Sequence, residues 1–160
     1  MGQKLSKEAL KEQAMEKAYN YELKCHGCSQ AVLLTFQELL GVEDELTFKA
    51  AGPLCAGLGM GKTCGALTGG VMVLGIKYGR PHIQDGLNGL FTGMGVAQRL
   101  VQMFEQEFGS TVCSDISKIS DWTDYEAVMQ AITNPEFIKR EAEVVGKTAV
   151  MVAEIIGEES

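Results

Sequence analysis

Positive charge, proline and tryptophan are all scarce in this chain. Against 21 Asp and Glu stand 14 Lys and Arg in 160 residues, a net charge of −7, with three prolines and Trp122 as the one indole. Nucleic-acid binding needs clustered Lys and Arg to displace counterions from phosphates, and no such patch is present, so no nucleic-acid partner is expected. Also missing is any run of about 18 to 20 apolar residues that could span a bilayer. The opening MGQKLSKEALKEQAMEKAYN lacks the apolar centre of a secretion signal, so a cytoplasmic protein with no membrane partner is expected. MGQKLS also fits the short N-myristoylation pattern at Gly2, which has meaning only in a eukaryote.

What the chain does have is apolar residues, 46% of the total, recurring at helical spacing almost everywhere. No segment sustains the alternation of a half-buried strand, so the expectation is an all-α, single-domain bundle of about six to seven helices over residues 1–160. An amphipathic helix is predicted from about Ser6 to Leu23, with Leu10, Ala14, Ala18 and Tyr21 on one stripe. A second, from about Ser29 to Leu40, is apolar nearly all round and closes on Gly41, which predicts a central position. A third starts near Glu43 or Asp44 and ends around Gly52-Pro53.

Thr63 to Tyr78 forms a fourth helix carrying Gly65, Gly69, Gly70 and Gly75, each costing about 1 kcal/mol relative to alanine. Close approach by another helix or a bound group is the expected compensation. Asp85 to Phe108 is the fifth, ending at Gly109. It packs on the fourth through small residues or across a subunit interface. After Cys113 come a short helix from Asp121 to about Ile132 and a last one with Asn134 as cap and Pro135 as first residue. Ile138, Ala142, Val145, Ala149, Val152 and Ile156 form a seam on this last helix, closing a bundle or a dimer.

Within Cys55 to Gly70 the segment AGLGMGKT satisfies a permissive phosphate-loop pattern. That loop needs a strand to deliver it and an aspartate-ended strand to hold magnesium. FKAAGPLC, with Gly52 and Pro53, supplies neither, so no nucleotide is expected and Lys62 and Thr63 read as a solvated charge and a helix cap. What survives is the attraction of a helix start for an anion, including a thiolate. Cys28 and Cys64 both stand at predicted helix starts, where thiol pKa is expected to fall.

The five cysteines are Cys25, Cys28, Cys55, Cys64 and Cys113. In a chain without a signal peptide they are expected to be reduced, and an odd number resists a closed disulfide framework. CHGC (Cys25 to Cys28) is not a haem attachment site, because Ser29 rather than histidine follows. It lacks the βαβ setting of a thioredoxin-type dithiol. As half of a metal site it needs two more soft ligands from Cys55, Cys64 and Cys113. Four thiolates suit zinc or an iron-sulfur cluster. A chain with ample core needs no structural zinc, so an iron-sulfur centre or redox-active thiols is preferred. His26 and His82 read as surface residues.

CSQAVLLTFQELLG (Cys28 to Gly41), GLGMGKTCGALTGGVMVLGIKYGR (Gly57 to Arg80) and FGSTVC (Phe108 to Cys113) together resemble the redox-active proteins named for their C-GCAxxG-C-C cysteine pattern. The resemblance covers about residues 19 to 115, and related modules occur in split-Soret cytochromes. It implies a helical domain that dimerises, with cysteines that carry electrons or bind a metal cluster, and a redox partner it does not name. The family cysteines map onto Cys28, Cys64 and Cys113. A further cysteine near the carboxyl end is missing, where NPEFIKREAEVV runs, and Cys55 or Cys25 is the candidate replacement.

The leading expectation is therefore an iron-sulfur electron carrier held by Cys28, Cys64 and Cys113 with Cys55 or Cys25. Backbone N–H groups of the loop at Gly57, Gly59 and Gly61 would tune it. The alternatives are a metal-free thiol oxidoreductase or sensor, pairing Cys25 with Cys28 or Cys55 with Cys64, and a helical scaffold whose thiols only pack.

Overall fold

A computed structural model describes residues 5–158, and Gly2 of the acylation pattern lies outside them. Eight α-helices and no strand are found among the described residues, so the chain is all-α. They are α1 (Lys7–Cys25), α2 (Cys28–Leu40), α3 (Glu45–Ala51), α4 (Gly65–Tyr78), α5 (Gly86–Phe108), α6 (Cys113–Ser117), α7 (Tyr125–Ile132) and α8 (Pro135–Gly157).

Local chemistry explains most boundaries. Ser6 caps α1 by accepting from the Ala9 N–H at 3.2 Å, and Asp44 caps α3 through the Thr47 N–H at 2.6 Å. Gly41 ends α2 in the left-handed conformation, φ 66°. Asn134 accepts from the Glu136 N–H at 2.9 Å and Pro135 opens α8. Helix α7 starts later than Asp121 because that side chain folds its own turn, accepting from the Thr123 N–H at 2.8 Å. Asp124 caps the helix instead. The five residues of α6 are too few for periodicity to have revealed.

Helix α8 is the centre of the molecule rather than its closing edge. Ala142, Val145, Ala149, Val152 and Ile156 are buried as the seam predicts, while Ile138 is half-buried. Val144, Thr148, Met151, Ala153 and Ile155 are buried too, so its second half is enclosed nearly all round. Helix α1 lies along it, and α2 is wedged among α1, α4 and α8.

The glycines of α4 are contact points. A Cβ at Gly69 would overlap the Ser29 carbonyl oxygen, one at Gly65 would overlap the Cys28 Sγ, and one at Gly70 would stand 2.8 Å from Leu100 of α5. The amino end of α2 thus crosses α4 at a Gly65/Gly69 notch, one helical turn apart, and the compensation expected for these glycines is another helix. A Cβ at Gly93 of α5 would lie 3.4 Å from the Gly79 Cα, an ordinary contact rather than an overlap. Nothing in the structure explains Gly75.

Candidate functional site

The Gly65/Gly69 notch sets the first thiol in place. His26 turns the chain with φ 49°, Gly27 precedes α2, and Cys28 becomes the first helical residue with its sulfur seated on Gly65. After α3 a short 3-10 turn, Gly52–Leu54, delivers Cys55 in an extended conformation to the same helix end. Its sulfur lies 2.9 Å from the Ser29 Oγ, which also donates to the Ala51 carbonyl at 2.7 Å. One hydroxyl proton serves both contacts: a protonated Cys55 donates to Ser29, and an ionised Cys55 leaves Ser29 to turn and donate to the sulfur.

Cys28 and Cys55 stand together over Gly65, whose Cβ position overlaps the Cys28 Sγ and lies 3.0 Å from the Cys55 Cα, and the interaction of each thiol with the other drives their acidities apart. The Cys28 thiol, followed by the Ser29 hydroxyl and the Ser29 and Gln30 amides, brings Cys55 down to about 5 despite its burial. Cys28 is pushed well above the ordinary thiol value. Losing its proton would end its donation to Cys55, and it is desolvated beside Cys64 and Glu22.

The expectation that helix starts make Cys28 and Cys64 the thiolates is therefore overturned. The positive end of α2 does lower a thiol, but that thiol is Cys55, arriving from outside the helix. Cys64 is sealed in the core, and burial lifts it to about 12, with the Ala66 and Leu67 amides opposing.

Between Cys55 and Cys64 the backbone reverses hand. Ala56, Gly57, Leu58 and Gly59 have φ of 54°, 58°, 63° and 67°, one turn of left-handed conformation. Gly57 is folded against Lys62, whose N–H donates to the Gly57 carbonyl at 3.0 Å, and Gly61 leaves no room for a Cβ beside Ser114 and Trp122. Gly59 is exposed. Backbone conformation and packing account for all three glycines. Thr63 is not a helix cap: it bridges Val112 in an isolated antiparallel contact, and Cys64 takes the cap position.

That bridge brings in the last thiol. Cys64 N–H donates to the Thr111 carbonyl at 2.9 Å and Cys113 N–H to the Lys62 carbonyl at 2.6 Å, which sets Cys113 within electrostatic reach of Cys64. Burial and the Glu141 carboxyl raise Cys113 to about 11. Cys25 is different. It is exposed at the last position of α1, outside the group the other four thiols form.

Two carboxyls complete the cluster, and sequence reasoning missed both. Glu22 is only 6% exposed, its Oε2 has no hydrogen-bond partner, and burial raises it to about 8, with Glu141 and Cys55 adding. Glu141, on α8, is also raised by burial, and its Oε1 lacks a hydrogen bond because the Arg140 guanidinium stands 4.0 Å away. Arg140 itself donates to the Ser117 carbonyl at 2.7 Å. A signal for Glu22 existed, since the buried stripe of α1 continues Leu10, Ala14, Ala18, Glu22 at four-residue steps.

Four thiols in one interior have the donor chemistry of an iron-sulfur cluster. Among the described residues no three Cys, His, Asp or Glu side chains converge closely enough to hold a metal ion. The sulfurs form two pairs, and Cys55 is the acidic thiol among them.

No helix among the described residues is long and apolar enough to cross a membrane. Residues 26–155 match the model of a family described as "Putative redox-active protein (C_GCAxxG_C_C)". No curated protein and no solved structure matches the chain.

Proposed function

The chain belongs to the C_GCAxxG_C_C family of redox-active proteins, and on that premise we propose that it is a thiol oxidoreductase in which Cys55 and Cys28 pass two electrons to a disulfide-bearing partner. The observation that carries this reading is the placement of Cys28 and Cys55 together over Gly65 at the amino end of α2, with one thiol made acidic and the other held protonated.

The chemistry follows from that asymmetry. Cys55, largely thiolate at neutral pH, attacks one sulfur of the partner's disulfide, forming a mixed disulfide and expelling the other partner sulfur as a thiolate. Cys28 then loses its proton and attacks the Cys55 sulfur. A Cys28–Cys55 disulfide forms, and the second partner thiolate leaves. Two electrons have moved to the partner, and the chain has been oxidised from dithiol to disulfide. An external thiol reverses the sequence, and a reducing cytoplasm, the location expected from the sequence, suits such a cycle.

A homodimer belongs to the same reading. Leu87, Leu90, Phe91 and Met94 lie along one face of α5, all exposed, Phe91 at 57%. From Gly86 to Gln98 the helix carries no charged residue, whereas the chain as a whole has a net charge of −7. Two copies repel over most of their surface, so a neutral apolar face is where they can meet. Phe91→Glu is expected to convert a dimer to a monomer in analytical ultracentrifugation; a wild-type monomer sinks this part of the reading.

The test of the redox reading is anaerobic purification, metal analysis and disulfide mapping by mass spectrometry. A colourless protein that forms a Cys28–Cys55 bond under mild oxidation, reversibly, supports it. Brown protein with iron and acid-labile sulfide, lost when Cys28, Cys64 or Cys113 is changed to serine, would establish the iron-sulfur reading instead.

A further inference from the structure

Charge is distributed unevenly around the thiol pair. The chain holds 21 Asp and Glu, yet none occurs in residues 23–37 or 46–84, the segments that carry Cys28, Cys55 and the loop leading to Cys64. Two exposed cations flank Cys55 instead. Lys49 stands in the last turn of α3, where its carbonyl accepts from the Gly52 N–H, and the Gly52 carbonyl accepts in turn from the Cys55 N–H. Lys62, on the other side, is tied by its N–H to the Gly57 carbonyl at 3.0 Å, two residues beyond Cys55. Among the described residues no ion pair engages either lysine.

Between Gly57 and Lys62 the loop presents apolar side chains to water: Leu58 is 55% exposed and Met60 56%. Leu58 holds φ 63°, a conformation an L side chain adopts only at a cost, and its side chain recovers nothing by burial. Packing of Gly61 against Ser114 and Trp122 fixes the base of this tip. The acids of that neighbouring segment are engaged locally, Asp115 accepting from the Ser110 hydroxyl and Asp121 from the Thr123 hydroxyl, each at 2.6 Å. Resting on the dithiol reading above, we infer that the loop tip at residues 58–60, with Lys49 and Lys62, is the docking surface for the partner protein, and that the partner offers its disulfide on a segment carrying an apolar side chain and Asp or Glu. The apolar side chain covers Leu58 and Met60, and the carboxylates meet the two lysines. In a chain of net charge −7, a face built from acid-free segments draws an acidic partner to the thiols while the rest of the surface repels it. A small anionic disulfide would satisfy the lysines but leave Leu58 and Met60 uncovered.

The test uses two peptides, each with one cysteine held as a mixed disulfide with thionitrobenzoate, whose coloured thiolate leaves when Cys55 attacks the peptide sulfur. One flanks the cysteine with Leu and Glu, the other with Leu and Lys. Cys25→Ser removes the exposed thiol from the background, and dithiodipyridine, uncharged and without a side chain, normalises every rate for thiol reactivity. The normalised rate is expected to favour the acidic peptide by about tenfold at low salt, a preference that shrinks as salt is added. Lys49→Glu with Lys62→Glu should reverse it, and Leu58→Gly, which suits the left-handed backbone, should slow both peptides by about threefold. Equal normalised rates for the two peptides, or a preference that the lysine exchanges do not move, overturn the inference. So does glutathione carrying the same thionitrobenzoate, anionic but without an apolar side chain, if it reacts as fast as the acidic peptide. A Cys55–Cys55 bond between two copies, formed in preference to the peptide adduct, overturns it as well. If the peptide adduct is never resolved into a Cys28–Cys55 disulfide by mass spectrometry, the dithiol reading fails while the docking preference is still read, so the two failures are separable.

Discussion

The Cys28/Cys55 pair and the Cys64/Cys113 pair share one interior and differ in almost everything that governs thiol chemistry. Around the first pair stand a hydroxyl and two free amides at the start of α2, and each thiol acts on the other, so one thiol falls to about 5 while its neighbour rises. Around the second, burial outweighs the Ala66 and Leu67 amides at Cys64 and the Ser117 hydroxyl at Cys113, and both thiols rise, to about 12 and about 11. Cysteines are equivalent as letters. What divides them here is whether hydrogen-bond donation, above all from a second thiol, or burial prevails at the sulfur.

The sharpest way to break this contrast is Cys55→Ser. A thiol near 5 is almost wholly ionised at pH 7, whereas an ordinary one is about 1% ionised, so alkylation of the outer pair should slow by about 100-fold. Mass spectrometry of iodoacetamide-treated protein reads this directly, and Cys64 and Cys113 should be unaffected. Next in size is Gly65→Ala, whose Cβ would overlap the Cys28 sulfur and lie 3.0 Å from the Cys55 Cα. A loss of about 1 to 3 kcal/mol is expected by chemical denaturation, together with a Cys55 less acidic than before.

A subtler effect is in the pH dependence of stability. Cys55 is depressed on folding from 9.0 to about 5, so the folded state binds one proton fewer and stability rises with pH across that window. Glu22 is raised from 4.5 to about 8, so the folded state binds one more, and stability falls with pH there. Between about 5 and 8 the two slopes oppose each other. Glu22→Gln should therefore unmask a stability that climbs with pH, and Cys55→Ser one that declines, in urea midpoints measured across the range. Smallest of all, Ser29→Ala removes one of the Cys55 donors and should reduce alkylation at pH 5 by about fivefold.

How much of this was legible depends on the distance over which each feature is decided. Caps such as Ser6, Asp44 and Asn134 act within three residues and could be read from the chain. The glycines of α4 announced a close approach, yet which group approached is settled by the crossing of α2, a tertiary fact. For the same reason CHGC drew attention to Cys25, which is exposed, while the partner of Cys28 comes from 27 residues further on. Glu22 and Glu141 were hidden because acids on amphipathic helices are ordinarily solvated. The segment NPEFIKREAEVV, noted for its missing cysteine, supplies a carboxyl to the cluster instead.

The Thr63–Val112 bridge has a consequence of another kind. It joins two points of the chain that enclose all of α4 and α5, and the Cys64–Thr111 and Cys113–Lys62 backbone hydrogen bonds lie beside it. A covalent bond between Cys64 and Cys113 would close the same ring and remove about 4 kcal/mol of loop entropy from the unfolded chain. Oxidation at the outer pair changes what the protein can react with. Oxidation at the inner pair would change how long it lasts.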